Sequence, residues 1–244
     1  MAASKKILII IGATGNQGSS VVDEFLKLPN RNIRCLTRKP TSSASFALSA
    51  LGAEVVQPGL SDLSSLSKGF ANINAIFLNT KFLGNIQGNI TGEAFRRREA
   101  MVIEYILNEQ PELAEKVSLN YLCGYNTDPM LIPRFNRASG KYSFALPLAK
   151  DVRISIIDPK EPTGPFVLPL VEDEDAGTKL LAYDAKSYLT IGEIVDLWSK
   201  TSGQDVVLQK VWHLNGGACA LGFIREYGYM GGVNNFLEPS QLEK

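Results

Sequence analysis

The stretch KKILIIIGATGNQGSSVVDEFLKL, residues 5–28, decides the fold that this sequence predicts. An apolar run leads into three glycines, Gly12, Gly15 and Gly18, and apolar residues then recur at helical spacing from Val21 onward. A strand, a glycine turn and a helix in this order are the context in which a glycine motif predicts a dinucleotide site. The first glycine permits a tight turn, the second lets the backbone approach a pyrophosphate, and the third allows close packing of helix on strand. The alternative is an ordinary βα turn that binds no ligand.

The turn itself supplies seven candidate cofactor contacts. They are Gly12, Ala13, Thr14, Gly15, Asn16, Gln17 and Gly18. The free N–H groups and the positive dipole end of the following helix would face the phosphates. The GATGNQG motif, and its Asn-Gln pair in particular, resembles the NmrA-like proteins, an atypical branch of the extended short-chain dehydrogenases. This resemblance implies an NAD(P)-binding, Rossmann-type fold.

The composition limits the kinds of partner that we expect. The chain has 244 residues, 45% of them hydrophobic, which is typical of a soluble globular protein. Lys+Arg and Asp+Glu both number 25, so there is no overall field to attract nucleic acid or an anionic membrane. The three cysteines are widely spaced and the sequence has no apolar run long enough to span a bilayer. We therefore expect a cytoplasmic or nuclear protein that does not bind nucleic acid directly.

Two cations after the predicted second strand, residues 33–37, bear on the choice of cofactor. An acidic residue at this position would accept hydrogen bonds from the ribose hydroxyls of NAD, but this sequence has Arg38 and Lys39. Cations there can accommodate a 2′-phosphate, so the sequence favours NADP(H) over NAD(H). The alternative is a solvated basic turn.

Further contacts are expected at the carboxyl edge of the sheet, where open α/β folds bind their ligands. Asn79 ends the predicted fourth strand, residues 73–79, and Thr80 and Lys81 follow it. Asp62 either caps a helix or, as the family resemblance implies, lies beside the adenine. Family members would then have a further helix and strand, but here the glycine-rich segment 84–92 leads directly into a long helical pattern. On sequence grounds we therefore expect about one helix and one strand to be absent.

The rest of the sequence predicts a second, smaller lobe. Tyr125 and Asn126 follow a predicted strand, residues 117–123, and resemble the family's step beside the nicotinamide. We expect an α/β, doubly wound parallel sheet in residues 1–126 and a smaller C-terminal α+β lobe in residues 127–244, with the chain crossing between the two.

Two signals in that lobe are structural. Seven prolines between positions 129 and 169 predict loops and short edge strands instead of further βα units. Thr190 and Glu193 form a T-x-x-E capping box at the start of a helix that ends at Gly203.

The sequence offers no complete catalytic apparatus. Short-chain dehydrogenases usually carry YxxxK, in which lysine lowers the pKa of the tyrosine, but none of the eight tyrosines has lysine four residues later. The single histidine, His213, has no metal-binding partner at the usual spacing, and no metal site is expected. The catalytic residues therefore stay unknown, with Lys81 and Tyr125 as candidate proton donors.

These observations favour a protein that senses the state of NAD(P) and regulates a protein partner, such as a transcription regulator, without obligatory turnover. The alternative is an NADPH-dependent reductase of an enone, imine or other small secondary metabolite, because iminium reduction needs little proton donation. A cofactor-retaining rearrangement enzyme and a partner-binding module without cofactor are also kept open.

Overall fold

A computed structural model gives the fold of the chain. It describes residues 5–37, 39–57, 69–79, 112, 115–158, 163–173, 175–184, 186–211 and 236–242. The chain divides into two compact units, and it passes between them more than once. Unit 1 comprises Met1–Gln87 and Pro159–Ala176, and unit 2 comprises Gly88–Asp158 and Gly177–Lys244. The sequence boundary at residues 126 and 127 stays a prediction.

Unit 1 is built on a parallel sheet with helices, which confirms the predicted α/β class. Within its described residues, the strands are β1 (Lys6–Ile11), β2 (Arg31–Leu36), β3 (Glu54–Val56) and β4 (Ala75–Leu78), and the helices with defined bounds are α1 (Asn16–Phe25), α2 (Ser43–Ala50) and α3 (Thr163–Glu172). The four strands are parallel in the order β3-β2-β1-β4. The parallel pairing requires crossover connections, which α1 and α2 supply between the first three strands.

The core of unit 1 lies between this sheet and its helices. Leu8 and Ile10 of β1 pack with Val21 and Phe25 of α1, and all four side chains are fully buried. The alternation of strand residues and the helical spacing after the glycine turn place these side chains on facing surfaces. The apolar run and helix pattern predicted from the sequence are therefore the elements that form this core.

Helix α3 corrects the expectation that the proline-rich segment lacks helices. It contains Pro165 and Pro169, and its final turn is still closed by a hydrogen bond of 2.9 Å from the Asp173 N–H to the Pro169 carbonyl. A proline inside a helix costs about 3 kcal/mol relative to alanine. Packing offsets this cost, because Val167 lies buried in the core of unit 1. Tertiary contacts thus decide the structure here over local propensity.

In its described residues, unit 2 contains short sheets and one well-capped α-helix. Its strands are β5 (Leu119–Leu122), β6 (Gly124–Tyr125), β7 (Arg134–Asn136), β8 (Lys141–Leu146), β9 (Arg153–Ile157), β10 (Lys179–Ala182), β11 (Tyr188–Thr190) and β12 (Val206–Lys210), its α-helix is α4 (Ile191–Ser202), and two 3₁₀ turns span Pro129–Leu131 and Pro239–Gln241. The strands form sheets in the orders β10-β5, β11-β9-β6 and β12-β8-β7.

The predicted capping box at α4 is confirmed. The Thr190 hydroxyl accepts from the Glu193 N–H at 3.0 Å, and the Glu193 carboxylate accepts from the Thr190 N–H at 2.7 Å. The bond from the Thr190 N–H, followed by a hydrogen bond from the Thr190 side chain, lowers the pKa of the Glu193 carboxyl. Gly203 ends the helix with a positive φ of 66°, as a C-terminal glycine does.

None of the helices in the described ranges has both the length and the apolar character needed to cross a bilayer.

Candidate functional site

The glycine turn joins the end of β1 to the start of α1. Gly12 has φ +85°, a conformation that side chains disfavour, and its carbonyl accepts the Gly15 N–H at 3.0 Å. A Cβ added at Gly12 would lie 3.4 Å from the Cβ of Asn79. The first glycine therefore makes the tight turn, and it places that turn beside the end of β4.

Gly18 lets α1 pack closely on the turn. A Cβ at this position would lie 2.2 Å from the Gly12 carbonyl oxygen and 2.8 Å from the Cα of Ala13. Both are backbone atoms, so no side-chain rotation could relieve the overlap. Gly18 and Ala13 are buried. Close packing of helix on strand thus depends on the third glycine.

The tip of the turn is open to solvent. Thr14, Gly15 and Asn16 are exposed, and Gln17 is half-buried. Gly15 is the N-cap residue of α1, with φ −90° and no side chain to cap the helix. No acidic residue lies in the first turn. The positive end of the helix dipole and its N–H groups therefore face outward, an arrangement that suits an anion such as a phosphate.

Asn79 is the predicted carboxyl-edge residue that the structure brings to this turn. Its N–H lies 3.4 Å from the Ile11 carbonyl, and its side chain is half-buried against Gly12. The neighbouring candidates Thr80 and Lys81, like Asp62, lie outside the described residues. Unit 1 thus places the seven turn residues and Asn79 together.

The basic turn after β2 is held by hydrogen bonds to its backbone. The Lys39 carbonyl accepts from the Ser45 hydroxyl at 2.8 Å, and the Lys39 N–H donates to the Thr37 hydroxyl at 3.2 Å. Ser45 is fully buried, whereas Lys39 is exposed. The loop is therefore anchored while its cationic side chain stays accessible. Arg38 lies outside the described residues.

Sequence reasoning did not identify Ser45 as the anchor of this loop. The signal available was the pair Ser42 and Ser45, three residues apart at the start of α2. The Ser42 hydroxyl caps the helix by accepting the Ser45 N–H at 3.2 Å, and the two hydroxyls lie 2.9 Å apart.

Tyr125 and Asn126 belong to unit 2. Tyr125 ends β6, which pairs with β9, and the Asn126 N–H donates to the Ile157 carbonyl at 3.0 Å. The Asn126 side chain donates to Asp158 at 3.5 Å. The backbone of both residues is thus fixed within the second unit, and their assignment to a cofactor site stays a prediction.

Two groups have strongly raised pKa values. Burial raises the pKa of the Cys35 thiol to about 12, so this thiol in β2 stays protonated and unreactive. Burial, followed by a hydrogen bond to Glu238, raises the pKa of Tyr183 to about 12. Tyr183 therefore stays neutral and donates to the Glu238 carboxylate. Sequence reasoning did not identify this pair, because its members are 55 residues apart.

Comparison with known proteins identifies relatives for the amino-terminal part of the chain. Residues 4–93 match the NmrA-like family. The NmrA-like family domain-containing oxidoreductase ptmS of Penicillium ochrochloron is 41% identical over 80 residues, which are 32% of this chain and 24% of that protein. The similarly named hkm9 of Aspergillus hancockii is 42% identical over 79 residues, with the same two shares. The match thus spans about a quarter of the length of these curated relatives.

Solved structures share the fold over almost the whole chain. NmrA, described as a negative transcriptional regulator and solved in complex with NADP, matches with a TM-score of 0.67 and 15% identity, covering 96% of this chain and 85% of that one. Leucoanthocyanidin reductase of Vitis vinifera, solved with NADPH, matches with a TM-score of 0.69 and 15% identity, covering 97% and 94%. At these identities the likeness shows a common fold. Together with the sequence match over residues 4–93, it confirms the resemblance of this chain to the NmrA-like family.

Proposed function

We propose that unit 1 binds a nicotinamide dinucleotide at the glycine turn. The observation that carries the proposal is the outward-facing, uncapped start of α1 at Gly15, directly after the tight turn at Gly12. An anion placed there would accept hydrogen bonds from the N–H groups at the start of α1 and would lie at the positive end of the helix dipole. Asn79 lies next to Gly12 and would border the same ligand.

The basic turn supports a preference for NADP(H) over NAD(H). Lys39 is exposed on a loop that Ser45 anchors, so its ammonium group is available to a 2′-phosphate without a large ordering cost. Arg38, next to it in sequence, would add a second cation. The solved relatives include complexes with either cofactor, NADP in one NmrA structure and NAD in another.

For the role of the bound nucleotide, we favour a sensor of cofactor state that acts on a protein partner. The sequence keeps the dinucleotide turn but has no YxxxK pair for proton transfer. A nucleotide that binds one conformation more tightly than another shifts the population toward that conformation, and no turnover is required. The description of the structural relative NmrA as a negative transcriptional regulator supports this role.

A reductase is the second candidate, and a specific observation favours it. The curated relatives ptmS and hkm9 are named oxidoreductases, and they match this chain at about 40% identity. Reduction of an enone by NADPH needs a hydride and a proton and would draw on Tyr125 or Lys81 as proton donor, whereas an iminium needs only the hydride. Because the match covers about a quarter of those proteins, their activity is a hypothesis for this chain.

Calorimetric titration of the purified full chain with NADP⁺, NADPH, NAD⁺ and NADH tests these proposals. The first variant is Gly15→Ala, which blocks close approach of the pyrophosphate to the backbone of the turn. The second is Lys39→Asp, which reverses the charge of the side chain that we expect beside the ribose 2′-phosphate. We expect Gly15→Ala to weaken all four nucleotides and Lys39→Asp to weaken only the two phosphorylated ones. No binding of any nucleotide to the wild-type chain contradicts cofactor binding, and equal effects of Lys39→Asp on all four contradict the 2′-phosphate assignment.

The oxidised and reduced forms then separate sensor from reductase. A sensor of redox state requires affinities that differ between NADP⁺ and NADPH in the absence of substrate. A reductase requires loss of the near-ultraviolet absorbance of NADPH when an enone or cyclic imine is added. Equal affinities for NADP⁺ and NADPH, together with substrate-dependent oxidation of NADPH, would contradict the sensor hypothesis and support the reductase.

A further inference from the structure

The backbone of Lys39 is held from both sides. Its N–H donates to the Thr37 hydroxyl at 3.2 Å, and the Thr37 N–H in turn donates to the Val56 carbonyl of β3 at 3.0 Å. The Lys39 carbonyl accepts from the Ser42 N–H at 3.2 Å and from the Ser45 hydroxyl at 2.8 Å. The direction in which the Lys39 side chain leaves the backbone is therefore fixed relative to the sheet of unit 1.

Ser45 is the buried member of this network. Its side chain is fully buried, whereas Lys39 is exposed. A hydroxyl has one hydrogen and a carbonyl oxygen can only accept, so the Ser45 hydroxyl donates to Lys39. The Ser42 hydroxyl, 2.9 Å away, is then the donor to the Ser45 oxygen, while it accepts the Ser45 N–H as the cap of α2. The first turn of α2 and the basic turn thus share one network, in which both hydroxyl hydrogens have an acceptor.

We propose that Ser45 is a positioning residue that sets the preference for NADP(H) over NAD(H). It acts through the backbone of Lys39, so that the ammonium group meets the ribose 2′-phosphate on a turn that is already ordered. Binding that has to immobilise a loop loses affinity, and a preordered turn avoids this loss. This role of Ser45 rests on the nucleotide binding proposed above for unit 1, and it makes a neutral, buried side chain a determinant of cofactor choice.

The hydroxyl of Ser45 can be removed without altering the rest of the candidate site. Its described hydrogen bonds go to Ser42 and Lys39, and its loss changes no charge. The Lys39 carbonyl keeps its bond from the Ser42 N–H, so we expect Ser45→Ala to fold. The glycine turn, residues 12–18, would still receive the pyrophosphate, which NAD(H) and NADP(H) have in common. Loosening of the basic turn should therefore affect only the nucleotides that carry a 2′-phosphate.

Calorimetric titration of the full chain with NADP⁺ and NAD⁺ tests this role. We expect Ser45→Ala to weaken NADP⁺ binding by about threefold to tenfold, the range for the loss of one hydrogen bond, and to leave NAD⁺ binding unchanged. Leu48→Ala is the matched control, because Leu48 lies in the same helix and is buried in the core of unit 1. This control should lower the melting temperature without changing the ratio of the two affinities.

A double variant shows whether Ser45 acts through Lys39. If it does, Ser45→Ala should cause no further loss of NADP⁺ affinity in a chain that already carries Lys39→Ala. Additive losses would overturn the proposal, as would equal weakening of both nucleotides by Ser45→Ala or a lost preference in Leu48→Ala. Unchanged NADP⁺ affinity in Ser45→Ala, when Lys39→Ala weakens it, refutes the role of Ser45 alone. No binding of either nucleotide to the wild-type chain refutes the proposed function, and this role with it.

Discussion

Gly18→Ala should destabilise the protein even though alanine is the better helix former. Gly18 lies in the first turn of α1, where an exchange of glycine for alanine ordinarily stabilises a helix by about 1 kcal/mol. Here the added methyl group would lie 2.2 Å from the Gly12 carbonyl oxygen and 2.6 Å from its carbon. The overlap involves backbone atoms, so either α1 or the turn must move.

The expected magnitude follows from these two opposing effects. Inserting a methyl group into a well-packed site typically costs about 1–3 kcal/mol, and the backbone contact places this site at the upper end. Subtracting the gain in helix propensity of about 1 kcal/mol leaves a net loss of about 2 kcal/mol. For a chain of this size, such a loss lowers the melting temperature by about 4–8 °C.

Thermal unfolding followed by circular dichroism measures this change, and Gly15→Ala is its matched control. A Cβ at Gly15 would meet only the Gly12 carbonyl oxygen, at an ordinary 3.4 Å, and its φ of −90° suits any residue. Gly15→Ala should therefore cost less than about 1 kcal/mol, the loss expected from a poorer helix-capping residue. A Gly18→Ala variant as stable as the wild-type protein, or more stable, would refute the packing argument.

Three further substitutions or titrations test contacts within the individual units. Arg31→Ala removes a buried side chain whose ion-pair partner Glu172 is partly exposed, and it should cost about 2 kcal/mol in urea unfolding because the packing of the buried Arg31 is lost; an unchanged midpoint for Arg31→Ala would exclude this cause. The pKa of Tyr183 is about 12 in the folded protein against an ordinary value of 10.0. Its bond to Glu238 should therefore stabilise the fold below about pH 10, and this contribution should be lost as the pH rises toward about 12. The ultraviolet absorbance of the phenolate reports the titration, and ionisation of Tyr183 at its ordinary pKa in the native state would contradict this prediction. Thr190→Ala should cost about 1 kcal/mol by opening the capping box of α4, and Thr190→Ser should restore most of it in the same unfolding assay.

Local signals were sufficient to predict the first unit up to β4. The apolar run of β1, the glycine turn and the helical spacing of α1 are contiguous in sequence, and each favours the same βα structure. The capping box at Thr190 was predictable for the same reason, since its two hydrogen bonds join residues three positions apart. Where the interactions that determine a structure are local, they can be predicted from the sequence.

Helix α3 was not predictable because its determinants are long-range. The Gly164 N–H donates to the Ser20 hydroxyl at 2.9 Å across 144 residues, and a Cβ at Gly164 would lie 2.3 Å from the Ser20 carbonyl oxygen. Read locally, the prolines of this segment argue against a helix. Only the three-dimensional structure shows that α3 packs on α1 and that Glu172 at its end pairs with the buried Arg31. The hydrogen bond between Tyr183 and Glu238 was not predictable for the same reason, since its two residues lie 55 positions apart.

The three glycines of the turn do not carry equal information about function. Gly12 is required by its positive φ, and Gly18 by the backbone atoms that surround it, so the fold alone accounts for both. At Gly15 the structure imposes no such requirement, and serine, aspartate or asparagine would cap the helix better. A glycine there leaves the start of α1 uncapped and accessible, at a small cost in stability. The middle glycine, which is the one that folding does not need, is therefore the residue that most strongly supports a ligand at this turn.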